Sequence, residues 1–293
     1  MLVNSVAAMY KGFLAGLTIA CSALAGSTPD PHELMARAVK VAEGNWTEAP
    51  NYSFVRADAK SKRGSQPVKT IYEVLIIEGS PYQKIVAEDG HALSALRAQE
   101  EEQKLHREGA KREKESAHER RRRIEKYTED RNRDHAMLME LCDAFDYTVT
   151  GEPQIGEKSV WLLEGKPKTG YVAKTREAKV LSGMKVEFWI EKASYQWMRV
   201  EAEVMRPISL YGALAKVGPG TKFVLEQEQV SPNVWLPKCL SIQVKASALG
   251  FINEDSVQDE TYSNYRVDTS SANALRVRIK ADGASEKQPR TLQ

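Results

Sequence analysis

The chain has 293 residues, 42% of them hydrophobic and 28% charged, with 42 Lys and Arg set against 40 Asp and Glu. Such a composition excludes a disordered polymer, and a net charge of +2 excludes a protein that grips nucleic acid by neutralising phosphates. The length allows one large core or two modest ones.

Lys11 precedes an apolar stretch, GFLAGLTIACSALAG, that ends in Ala23-Leu24-Ala25, the small-x-small pattern cut by signal peptidase. The stretch is shorter than the roughly 20 residues of a membrane span. Residues 1–25 are therefore expected to be a cleavable signal peptide with Gly26 as the mature start, an uncleaved anchor being the alternative. This places the protein outside the cytoplasm. Cys142 and Cys239 remain after cleavage, and either a disulfide or two small buried thiols is compatible with the sequence.

PDPHELMARAVKVAEG (29–44) carries Leu34, Ala38 and Val41 at helical spacing, with Pro and Asp ahead and Gly44 behind, and predicts a helix. NYSFVRADAK (51–60), KTIYEVLIIEG (69–79) and PYQKIVAEDG (81–90) predict a three-stranded antiparallel meander that completes a first unit over 26–91. From 92 to 143 Glu, Lys, Arg, Gln and Ala dominate, proline is absent and apolar residues are too sparse for a heptad seam. This predicts an inserted long charged helix, or a helical hairpin breaking near Gly109, solvated along its faces and docked at its ends.

Within it stand Arg120, Arg121, Arg122 and Arg123. At 100° per residue they cannot share one face, and Glu119, Glu125 and Glu129 offset them, so no nucleic acid is expected. They are candidates for docking on an envelope protein partner or an anionic membrane surface.

Over 144–269 seven segments alternate with period two and are rich in β-branched and aromatic residues, with a short helix at 175–183 between them. A polar tail, 270–293, follows. The fold class is α+β: one strongly curved antiparallel sheet, or half-open barrel, covered by helices such as 32–43 and interrupted by the charged insertion.

Sites of catalysis are not signalled. All five histidines precede the second strand block, and no HExxH, paired CxxC or calcium loop occurs, so neither metal nor other cofactor is expected. GEPQIGEKS (151–159) has Glu157 where a phosphate-binding loop needs lysine and is followed by a strand, so it reads as a hairpin turn. Glu201 and Glu203 alternate with Val200, Ala202 and Val204, the pattern of a solvent face. What the strands supply is apolar surface: Val186, Phe188 and Ile190, Met198 and Val200, Phe223 and Leu225, then Leu240, Ile242 and Val244. These ten are the candidate lining of an apolar ligand cavity.

GMKVEFWIEKASYQWMRVEAEV resembles a strand-turn-strand of LolA/LolB-type proteins, with Trp189-Ile190, a turn over Glu191–Ser194, Tyr195, and then Arg199 and Glu201 on the next strand. NVWLPKCLSIQV, with Trp235-Leu236-Pro237, and ETYSNYRV, with Tyr262 and Tyr265, resemble later strands of the same family. The resemblance implies a half-open antiparallel barrel closed by helices around a hydrophobic cavity. It further implies a non-catalytic periplasmic carrier, chaperone or sensor for lipid acyl chains or lipoproteins. A scaffold in the envelope that uses the charged insertion as its partner surface is the alternative.

Overall fold

The computed structural model describes residues 29–268 except 63, 210–214, 249–251 and 254. The expected signal segment and the polar tail lie outside the described residues. Helix α1 (Pro31–Glu48) leads into a short 3-10 turn at Ala49–Asn51 and then into strands β1 (Tyr52–Lys62), β2 (Val68–Ile77), β3 (Ser80–Glu88) and β4 (His91–Ala92). Helices α2 (Ala95–Glu113) and α3 (Ala117–Ala144) follow. Next come β5 (Phe145–Gly151), β6 (Gln154–Ile155), β7 (Lys158–Pro167), a 3-10 segment at Glu177–Gly183, β8 (Met184–Glu191) and β9 (Trp197–Val204). The chain continues through β10 (Ile208–Ser209), β11 (Ala215–Val217), β12 (Lys222–Ser231), β13 (Val234–Val244), β14 (Ala246–Ala248), β15 (Ile252–Asn253) and β16 (Ser256–Val267).

One antiparallel sheet of 12 strands runs in the order β4-β3-β2-β1-β16-β13-β12-β9-β8-β7-β5, with β6 attached to β7. It does not close. A small second sheet pairs β10, β11, β14 and β15. The N-terminal meander joins the later strands because β1 pairs with β16, from Tyr52 opposite Val267 to Lys62 opposite Ser256. So the two strand blocks that flank the charged run form one sheet.

Its two edges, β4 and β5, immediately flank the helical hairpin in sequence. The hairpin therefore carries the chain from one edge of the open sheet to the other. A helix of 28 residues is about 42 Å long, which accounts for the size of α3. Its first turns sit on the β2–β3 turn, where Arg120 pairs with Glu78 at 2.8 Å and Ile124 lies against Gly79. Its middle crosses the end of α1, with Arg131 over the Trp46 ring and His135 against the same indole. Its last turns reach the core through Met137, Leu138 and Leu141.

Several local expectations shift. α1 runs on to Glu48 through Gly44, where neither the packing nor the backbone imposes a stop. Its start is fixed by Asp30, whose carboxylate accepts the His32 and Glu33 backbone N–H groups. The hairpin breaks at Lys114–Ser116 rather than near Gly109. Ser116 and Glu119 form a reciprocal capping box, at 3.3 and 2.9 Å, and set the start of α3. Gly109 stays within α2, at a cost of about 1 kcal/mol, because tertiary contacts hold the helix on both sides of it.

Nor is the hairpin docked only at its ends. α2 lies along the free edge of β3, where buried Glu101 accepts the Ile85 N–H at 3.4 Å and Glu102 pairs with Lys84 at 2.8 Å. Buried Arg112 donates to the carbonyls of Ile77 and Ser80 at 3.0 and 2.9 Å. An exposed strand edge is a template for unwanted pairing, and this helix covers it.

The main core gathers Leu34, Met35, Ala38 and Val39 of α1 against Phe145, Leu163, Phe188 and Ile190 of the sheet. Gly165 makes the tightest approach there. A Cβ at that position would lie 2.7 Å from both the Tyr147 ring and Val186, so Gly165→Ala is expected to cost roughly 1–3 kcal/mol through overpacking. Chemical denaturation checks it by a lowered midpoint at unchanged slope.

Candidate apolar ligand site

Strand register defines the inner face. Leu163, Phe188, Val200, Leu225 and Leu240 stand side by side on successive strands, and a second row runs through Gly165, Val186, Ala202, Phe223 and Ile242. Above these rows, beneath α3 and the 3-10 segment, lies a cavity of about 270 Å³. Strand side chains Val186, Phe188, Trp197, Val200, Ala202, Phe223 and Leu225 form its floor. Met137, Leu138 and Leu141 of α3, with Val180 and Leu181 of the 3-10 segment, form its roof, and Met184 at the start of β8 completes the lining. Asp134 is the only charged residue in the lining. Its side chain is exposed, at the edge of the cavity.

Five of the ten candidate cavity residues are thus brought together: Val186, Phe188, Val200, Phe223 and Leu225. The other five are not. Ile190 is fully buried in the core. Met198 is the extra residue of a bulge, since Trp189 pairs with Arg199 while Ile190 pairs with Trp197, and Trp197 takes the inward place. Leu240 and Ile242 share the inner face but lie one strand beyond the cavity floor, and Val244 sits at a polar end of the sheet beside Lys62, Lys245 and Asp255. Sequence patterning missed the roof, although Met137, Leu138 and Leu141 were legible as the one dense apolar stretch of the charged run.

The four arginines divide. Arg123 donates to both Glu115 oxygens, to the Glu78 carbonyl and to the Ser80 hydroxyl, and Arg120 pairs with Glu78. These two are engaged inside the molecule, where they fasten α3 to the β2–β3 turn. Arg121 and Arg122 are exposed, Arg121 lying 3.7 Å from Glu125. Glu201 bonds to Arg199 at 2.7 Å on the outer face, and Arg199 also reaches Glu226. That face is a lattice of ion pairs. Cys142 and Cys239 are free, and burial raises the Cys142 thiol.

One buried carboxylate ties α3 to the stretch that precedes the 3-10 segment. Glu140, 2% exposed, accepts the Tyr171 hydroxyl at 2.5 Å and the Lys174 N–H at 2.9 Å, with Thr175 at 3.4 Å. Burial works to raise its carboxyl, but these donors together outweigh it and hold it below the usual range. A depressed folded value means that its stabilisation is complete above the unfolded carboxylate value, about 4.3, and is lost as pH falls through the folded one. Hydrogen exchange at the Lys174 amide is expected to accelerate below about pH 4 beyond its intrinsic trend. In Glu140→Ala, which removes the acceptor, it should be fast already at neutral pH.

No protein-family model and no curated protein matches the sequence. Among solved structures the chain is similar to a LolA superfamily protein from Nitrosomonas europaea. Identity is 9%, covering 82% of this chain and 94% of that one, at a TM-score of 0.33. It is also similar to an outer membrane lipoprotein-sorting protein domain from Vibrio parahaemolyticus, with 12% identity, 80% and 94% coverage and a TM-score of 0.32. A DUF1329 family protein from Desulfovibrio piger gives 13% identity, 82% and 95% coverage and a TM-score of 0.32. The half-open antiparallel sheet under helices is the architecture expected from the sequence. Among the described residues no helix is long and apolar enough to cross a membrane, and no group of three or more His, Cys, Asp or Glu is placed to hold a metal.

Proposed function

We propose that this chain is a periplasmic, non-catalytic binding protein for an acyl chain, carried by a free lipid or by a lipid-modified protein. The observation that carries the reading is the cavity wall, which is hydrocarbon apart from Asp134 at its edge. At roughly 30 Å³ per water-sized group, 270 Å³ holds about nine methylenes, one chain rather than several. Burying them contributes about 0.8 kcal/mol each, enough for retention without any charged anchor. The exported location rests on the signal-like segment at 1–25.

Native mass spectrometry of the gently purified protein tests the reading. A bound acyl species lost on delipidation and regained on adding a decanoyl lipid is expected. A protein that never retains one, and does not shift a fluorescent fatty-acid probe, would overturn it. Exposed Arg121 and Arg122 remain the candidates for an envelope partner or an anionic membrane surface.

A further inference from the structure

The inner face does not stay apolar. Beyond Leu240 and Ile242 of β13, the same two rows continue into Glu260 and Gln258 of β16 and then into Asp58 and Lys60 of β1. Arg56 and Tyr262 form the next pair along. Strands lie about 4.8 Å apart, so the polar row begins roughly 10 Å, two strand spacings, from the cavity floor on β12. Leu240 and Ile242, half-buried, make an apolar path between the two.

The row is internally neutralised. Arg56 Nε lies 2.7 Å from Asp58, and Lys60 Nζ lies 3.5 Å from it. Both oxygens of buried Glu260 are taken, one by the Gln258 amide and one by the Tyr262 hydroxyl. Two cations therefore face two carboxylates, and no net charge is left to attract an ion. Hydrogen-bonding capacity is left, however. Arg56 donates from Nη2 to Asp58 and Gln83 at 3.2 and 3.3 Å, and its Nε stands beside Asp58 in charge contact without a hydrogen bond, leaving the two Nη1 donors for an incoming oxygen.

We infer that the row of Arg56, Asp58, Gln258, Glu260 and Tyr262 is a head-group subsite. It selects an amphiphile with a neutral hydroxyl- or ester-bearing head whose tail fills the adjoining cavity. The inference rests on the acyl-binding reading and adds a chemical class to it. A carboxylate head would bring a third negative charge beside buried Asp58 and Glu260, and a quaternary ammonium head has no oxygen with which to accept from Arg56. A glyceryl head only has to accept from Arg56 and exchange hydroxyl bonds with its neighbours.

The test holds the tail constant and varies the head. Monooctadecanoylglycerol, octadecanoate and octadecyltrimethylammonium, whose chains are long enough to fill the cavity and still cross Leu240 and Ile242, are titrated against one fluorescent tail probe. The neutral glyceride is expected to bind about tenfold more tightly than either ion, the size of one hydrogen bond to a charged donor. Arg56→Gln should erase that preference. Arg56→Lys, which keeps a cation beside Asp58 but lacks the Nη1 pair, should also erase it and covers the case in which glutamine perturbs the strand. Equal binding of all three heads, or a preference that survives both variants, would overturn the subsite while leaving the acyl cavity intact. Failure of every octadecyl ligand to bind would remove both.

Discussion

Replacing Ala202 with phenylalanine is expected to abolish acyl retention while leaving the fold in place. Ala202 is 8% exposed, lies on β9 between Val186 and Phe223, and its side chain is the smallest of the cavity floor. A phenyl ring there would project into open space and occupy about half of the nine methylene-sized places. Losing four or five of them removes roughly 3–4 kcal/mol of burial, a drop of more than a hundredfold in affinity. Because the ring enters a void, the overpacking penalty of a filled core does not apply, and the thermal midpoint should hold or rise. Ala202→Leu should fall between the two. Probe titration and a thermal melt on the same sample check both halves. Undiminished binding would show that the tail lies elsewhere on the molecule.

Arg112→Ala is expected to release the helical hairpin from the sheet. The Arg112 side chain, 7% exposed, bonds Glu108 at 2.7 Å, the Ile77 and Ser80 carbonyls, and the Ser80 hydroxyl. Arg123 meets the same hydroxyl from the next helix at 2.7 Å, so Ser80 is the point on which α2 and α3 converge. Alanine strips the donor from buried carbonyls and leaves Glu108 without its partner, a cost of roughly 3 kcal/mol. Most of that cost should appear locally. Hydrogen exchange should rise along α2 and at the β2–β3 turn, and a protease should cut near Lys114 well before the strands of β7 to β9 lose protection. Because α3 also roofs the cavity, acyl affinity should fall with it. An unchanged exchange pattern would mean that the hairpin is held by its apolar end alone.

How much of this was legible in the residues depends on whether a feature is local. The three strands of the first meander appear within one or two residues of their predicted ends, since alternation and glycine turns are properties of adjacent residues. Gly44 and Gly109 misled for the opposite reason. Each weakens a helix by an amount that tertiary contacts readily offset, whereas the reciprocal bonds of Ser116 and Glu119 act on the backbone itself. Met198 was assigned inward because alternation assumes an unbroken pleat, and one bulge hands its place to Trp197. Arg120 and Arg123 were set equal to Arg121 and Arg122 because a helix wheel cannot know that a strand turn lies beside it.

The sequence by itself determined the α+β class, the curved antiparallel sheet, the charged helical insertion and the supply of inward apolar residues. These follow from periodicity and composition. Only the tertiary structure decided that β4 and β5 are opposite edges of one sheet, so that the insertion becomes the element spanning its open side. It also decided that half of the candidate residues share a cavity and that the same face turns polar at β16. Neighbours across a sheet are fixed by register between segments that can lie more than two hundred residues apart, as Tyr52 and Val267 do, and no local pattern carries that pairing.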